Sequence, residues 1–108
     1  MSKKRMICTI EGHQYSLPHF EDKSGDEVIQ FIQKEPHPKK IGVLVTVNDG
    51  TTNESVLEML IDRMQFLQNA FPCRENAIVI TKLQECLFWL DHRTADRNNR
   101  NVEGKHEK

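Results

Sequence analysis

Arg93, Arg97 and Arg100 recur at spacings of four and three, which places them on one side of a helix. Such a row is commonly a solvated charged face, and Asp96 and Glu103 stand close enough in sequence to neutralise it. Its other reading is a set of guanidinium forks on a pyrophosphate, where paired charge-assisted bonds are short and strong. A second cluster lies around Pro72: Phe66, Phe71, Cys73, Arg74 and Asn76. Phe66 reads from its residue pattern alone as a core aromatic, yet the same ring could stack on adenine, a contact worth ~1–3 kcal/mol per base. Phe71 precedes Pro72 and reads first as a plug for the end of a hairpin, with base stacking as its second reading. Asn76 is either a surface or turn residue, or an amide that donates to and accepts from a base edge or a ribose. Arg74 sits at a helix start, where free N–H groups and the dipole favour anions. Pairing of Arg74 with Glu75 or Asp62 is an equally good account.

A thiol at a helix start can have a lowered pKa, so Cys73 invites a test for nucleophilic catalysis with His92 or His13 as base. No third group orients such a pair, and a buried, inert Cys73 is the better reading. No catalytic residue is therefore assigned. Neither His13, His19, His37, His92 and His106 nor Cys8, Cys73 and Cys86 show metal-ligand spacing. No phosphate-cradling glycine loop or GxSxG elbow is present, and no metal or cofactor is expected.

The elements that must hold these residues change character near Asn48. The pattern predicts an α+β chain: a small antiparallel N-terminal β-sheet with a short helix over 1–50, then a long antiparallel helical hairpin with an arginine-rich arm over 51–108. Together they should form one compact domain. Met6, Cys8 and Ile10 alternate within Arg5–Glu11 as in a half-buried strand, and Gly12-His13 turns into a second strand, Gln14–Leu17. Ser24 should cap a helix from Asp26 to about Lys34, with Val28, Ile29 and Ile32 on one face. Ile41–Val47 is the clearest strand, and Asn48-Asp49-Gly50 closes it as a turn. Thr51 and Glu54 fit a capping box ahead of a helix to about Ala70 whose main stripe is Val56, Leu60, Met64 and Leu67, widened by Leu57, Ile61 and Phe66. Pro72 breaks the chain. A second helix follows from about Cys73 to His92, with Val79, Leu83, Cys86 and Leu90 as its stripe. Beyond it the polar tail should extend the helix and fray. So short a connection makes the helices antiparallel. Their apolar surface exceeds what a hairpin contact covers. Part should pack on the sheet and the rest on a second copy, with Trp89 in the core or at that interface.

The chain of 108 residues carries 15 Lys+Arg against 16 Asp+Glu, a net charge of -1. That argues against binding genomic nucleic acid. No apolar run is long enough to span a membrane, the basic start lacks a secretory apolar region, and the cysteines read as reduced thiols.

The run from Thr52 to Arg63, the Phe71-Pro-Cys-Arg-Glu-Asn76 turn, the run from Ile80 to Leu90 and the tail with Arg93, Thr94, Arg97, Arg100 and Val102-Glu-Gly104 together resemble the first-described phage Thoeris anti-defence family. That family shares a hairpin domain with a phage anti-CBASS sponge. The resemblance is close over the C-terminal half, and the order of elements before it also fits. It implies binding of cyclic ADP-ribose isomers, glycocyclic ADP-ribose (gcADPR) among them, made by bacterial TIR-domain enzymes. The signal is held without cleavage in the cytoplasm of the bacterial host, so that the effector never fires. Some members also take cyclic di- or trinucleotides at separate sites, and members form dimers that can assemble into hexamers. The family pocket uses an aromatic residue late in the first helix, an Asn early in the second and an Arg after the Trp-containing run. These roles fall on Phe66, Asn76 and Arg93. Arg74, Arg97 and Arg100 extend the site on the residue chemistry above. Two readings from other classes compete: a hydrolase of the signal, for which no base can be nominated, and a helical adaptor for protein or DNA.

Overall fold

The computed structural model describes residues 5–21 and 25–99. Strands β1 (Ile7–Ile10), β2 (Gln14–Pro18) and β3 (Asp26–Gln30) form an antiparallel sheet in that order. Gly12, at φ 74°, makes the β1–β2 turn in the left-handed region that favours glycine. Strands β4 (Gln33–Pro36) and β5 (Leu44–Asn48) form a separate antiparallel pair. Helix α1 (Asn53–Ala70) and helix α2 (Arg74–Asn99) follow as a hairpin.

The architecture is the α+β arrangement expected, with one element corrected. The segment from Asp26 is a strand, not a short helix. Its residues pair one for one with β2, Tyr15 opposite Ile29 and Ser16 opposite Val28. Val28 and Ile29 are β-branched and suit a pleated surface, and the pairing satisfies backbone groups that a lone short helix would leave open at both ends. The N-terminal half thus holds two small sheets in place of one sheet and a helix.

The start of α1 also differs by one residue. Thr52, not Thr51, is the cap: its Oγ1 accepts from the Ser55 N–H at 3.1 Å. Thr51 is already committed, because its N–H donates to the Gln30 carbonyl (2.8 Å) and its carbonyl accepts from the Ile32 N–H (2.9 Å). These bonds strap the hairpin to the sheet region. Gly50 lies flat against the strap: a Cβ there would sit 2.3 Å from the Gln30 carbonyl oxygen.

The helices meet along a heptad-spaced line. Leu57, Ile61, Met64 and Gln68 of α1 face Asn76, Ile80, Leu83, Leu87, Leu90 and Thr94 of α2, all at least half-buried. Positions in the two rows are symmetrical about Pro72, so Ile61 stands opposite Leu83 and Gln68 opposite Asn76. Ile61, 9 % exposed, is the one buried apolar residue among those described. The stripes expected from sequence hold in part: Met64, Leu83 and Leu90 lie on the contact line, and the line is rotated towards the flanking positions Leu57, Ile61, Ile80 and Leu87. Val79 and Cys86, assigned to the α2 core, are exposed, as is Leu60 of α1. Each helix carries two apolar rows at similar spacing, and only the partner helix decides which row turns inward.

The flanking rows share a surface. Leu60 and the half-buried Leu67 lie about 70–90° to one side of the α1 contact line, and the exposed Val79 and Cys86 lie about as far to the same side of the α2 line. Because the helices are antiparallel, both rows emerge on one broad face of the hairpin. The apolar surface continues round the back of α1 to Met59 and Phe66, 53 % and 65 % exposed. The sheets leave most of it bare: among the described residues no strand packs its backbone against either helix. The expected packing of the hairpin on the sheet is confined to the first turns of α1, where Val56 and Met59 share a hollow with Val28 and Ile29 of β3.

Candidate ligand-binding site

The turn between the helices is built by four bonds. Phe71 closes α1, its N–H donating to the Leu67 carbonyl at 2.8 Å. The Cys73 N–H donates to Gln68 Oε1 at 3.0 Å. Cys73 then caps α2, with its carbonyl accepting from the Ala77 N–H and its Sγ accepting from the Asn76 N–H at 3.4 Å. Cys73 is exposed and its thiol is occupied as a cap, which corrects the expectation of a buried cysteine. Helix rise places His92 about 28 Å from Cys73 along α2, so the two cannot act as a pair within one chain.

Phe66, Phe71, Arg74 and Asn76 all lie at this tip. Asn76 is half-buried on the contact line, whereas Phe66 projects from the opposite side of α1. Phe71 is 79 % exposed and does not plug the hairpin end. It follows the last residue of α1, where the backbone turns outward to reach Pro72. Arg74 borders an open hollow of about 310 Å³ with Ala77, Ile78, Thr81 and Lys82, on the outer side of α2. Two further open hollows of about 320 and 290 Å³ lie near the strap, the larger lined in part by Tyr15, Phe31 and Thr52. None of the three includes Phe66, Asn76 or Arg93.

The arginines lie at the far end. Helix α2 runs without a break through Arg93 to Asn99, as the extension reading required, and Arg100 with the rest of the arm lies outside the described residues. Arg93 is about 25 Å from Asn76 along the axis. It is exposed, and with Val79 and Cys86 it forms a row of sevens along the edge of the broad apolar face. Arg97, 7 % exposed, continues the contact line after Thr94. Beside Arg93 stands a cluster of rings: Phe88 and Trp89 meet edge to face at 5.3 Å, and His92 stacks on Phe88 at 6.2 Å. Trp89 is 59 % exposed, so in the single chain it belongs to the surface. Sequence reading gave it no role beyond core or interface, although a Phe-Trp pair one turn before a His was visible.

One chain therefore gathers Phe66, Phe71, Arg74 and Asn76 at the hairpin tip and holds Arg93 and Arg97 at the other end. The described residues make no single enclosure of both groups. No helix of the described residues is long and apolar enough to cross a membrane, and among those residues no cluster of three or more His, Cys, Asp or Glu could hold a metal.

The fold and this distribution of side chains define a helical-hairpin module carrying an aromatic and amide tip, a cationic far end and an uncovered apolar face between them. The chain belongs to the family described as "Acb2/Tad1, hairpin domain", which it matches over residues 26–95. The match takes in β3, the strap and the hairpin as far as Ala95. It includes Phe66, Phe71, Arg74, Asn76 and Arg93. A curated relative, "Thoeris anti-defense 1" of Bacillus phage SBSphiJ7, is 49 % identical over 79 residues, covering 62 % of this chain. The aligned segment spans 56 % of that relative's own length.

Proposed function

We propose that this chain is an anti-defence sponge that acts in the cytoplasm of a phage-infected bacterium. It binds a cyclic ADP-ribose-type immune signal, holds it without cleavage, and so withholds it from a Thoeris effector. Cyclic di- or trinucleotides of CBASS are a second ligand class for the same protein. Membership of the hairpin family carries the reading, and the placement of Phe66, Asn76 and Arg93 shapes it. Phe66 and Arg93 border one continuous apolar surface but stand at opposite ends of the hairpin. A second copy related by a twofold axis perpendicular to the hairpin would bury that surface and bring Arg93 of one protomer to the tip of the other. The site is then composite. Phe66 of one protomer stacks on the adenine, Arg93 of the other grips the pyrophosphate, and the Asn76 amide reads the adenine edge or the ribose from the end of the contact line, with Arg74, Phe71, Arg97 and Arg100 as further candidate contacts by residue chemistry. Enclosure by two chains supplies affinity without chemistry. To outcompete an effector, capture must be nanomolar, about -12 kcal/mol. Dimers of this kind can assemble further, to hexamers.

The test is native mass spectrometry of the protein with a panel of cyclic ADP-ribose isomers and cyclic oligonucleotides, followed by heat release and analysis of the ligand. A ligand-loaded dimer that releases an intact molecule is the expected result. Fragments would establish a hydrolase. Absence of any complex, with no thermal stabilisation by the panel, would favour a helical adaptor.

A further inference from the structure

The cap of α2 is unusual in kind. Helix N-caps are normally Ser, Thr, Asp or Asn, whose oxygen accepts from the third helical N–H. Thr52 does this for α1 through the Ser55 N–H. At α2 the same place is taken by a thiol, a weak acceptor, and the amide it holds is that of Asn76. The thiol has its own support, because Gln68 Oε1 accepts from the Cys73 N–H at 3.0 Å. Gln68 is half-buried on the contact line opposite Asn76, where a nonpolar residue would continue the apolar row. Its amide therefore interrupts the core at the one rung where it can reach the turn.

We propose that Gln68 and Cys73 are positioning residues for Asn76: the Gln68 amide fixes the Cys73 backbone, and the Cys73 sulfur fixes the first turn of α2 from which the Asn76 side chain projects. The inference rests on the reading of Asn76 as a ligand contact. Loss of the cap lets the first turn of α2 fray and Asn76 lose its place, while the rest of the hairpin contact line, from Ile80 to Thr94, stays packed. Cys73→Ser keeps an acceptor in the capping place and Cys73→Ala removes it. Gln68→Ala frees the Cys73 N–H.

The experiment is a double-mutant cycle read by titration of the full chain with glycocyclic ADP-ribose, with amide hydrogen exchange at Cys73 and Asn76 followed by NMR on the same proteins. Cys73→Ala and Gln68→Ala should each weaken binding about three- to tenfold, the size of one net hydrogen bond. Cys73→Ser should restore affinity to within about twofold of wild type. In the Asn76→Ala background neither alanine substitution should cause a further loss. Exchange at Asn76 should accelerate in Cys73→Ala and return in Cys73→Ser, and exchange at Cys73 should accelerate in Gln68→Ala. Wild-type binding together with losses that multiply independently of Asn76 would overturn the inference alone. So would a Cys73→Ala protein that binds like wild type. Failure of the wild-type protein to bind glycocyclic ADP-ribose would overturn the reading of the Asn76 site and this inference with it, whatever the exchange rates.

Discussion

A site that draws Phe66 from one protomer and Arg93 from the other can be rebuilt from two broken chains. Along one helix Asn76 and Arg93 are about 25 Å apart, far beyond the reach of an arginine side chain from its own backbone. Phe66→Ala protein and Arg93→Ala protein should each bind the signal far more weakly than wild type, since every site in either homodimer lacks one group. Mixed in equal amounts and allowed to exchange subunits, they form half heterodimers. In each heterodimer one site combines both substitutions and the other combines the intact tip of one chain with the intact Arg93 of its partner. Half the dimers with one of two sites restored gives about one quarter of wild-type capacity, at wild-type affinity. Isothermal titration with glycocyclic ADP-ribose reads both the stoichiometry and the affinity. A mixture that binds as weakly as its components, with subunit exchange shown by mass, would mean that the two residues act within one chain or not at all. The composite site would then be wrong.

Three further outcomes concern the scaffold. Ile61→Ala removes the one buried apolar side chain of the hairpin contact line and should destabilise the fold by about 2–4 kcal/mol, seen as a lower denaturation midpoint in urea with circular dichroism. An unchanged midpoint would show that the dimer face, not the contact line, holds the hairpin. Thr52→Ala removes the α1 cap and should cost about 1 kcal/mol by the same measurement, while Thr51→Ala, which spares the backbone bonds of the strap, should cost less. Gly50→Ala forces a Cβ to within 2.3 Å of the Gln30 carbonyl oxygen and should lower stability by about 1–3 kcal/mol. A neutral Gly50→Ala would mean that the strap yields.

The hairpin was legible in the sequence because length, Pro72 and a 3.5-residue spacing all point to it. Strand β5 announced itself through its β-branched run, and β1 and β2 through alternation. Strand β3 was misread because Val28, Ile29 and Ile32 are spaced as acceptably for a helix as for a strand. What decides is the pairing of Asp26–Gln30 with β2, a long-range contact that local pattern does not carry. Strand β4, Gln33–Pro36, is polar, ends in Pro and gave no signal. The rotation of the contact line was hidden for a related reason: Val79, Cys86 and Arg93 are spaced by seven, as are Ile80, Leu87 and Thr94, and only α1 chooses between them. The site residues came mainly from a family likeness. Local chemistry alone would have put Phe66 in the core, whereas it is 65 % exposed. The interhelical place of Asn76 and the thiol cap at Cys73 depend on the register across the turn, which no single segment encodes.

Thr51 joins the two halves through main-chain atoms alone, while its neighbour Gly50 has no room for a side chain. The joint therefore tolerates unequal change at adjacent positions: a different side chain at 51 leaves its main-chain bonds in place, whereas any side chain at 50 meets the Gln30 carbonyl. The family match begins at Asp26, upstream of this joint. The matched segment thus takes in the strand that anchors the hairpin as well as the two helices.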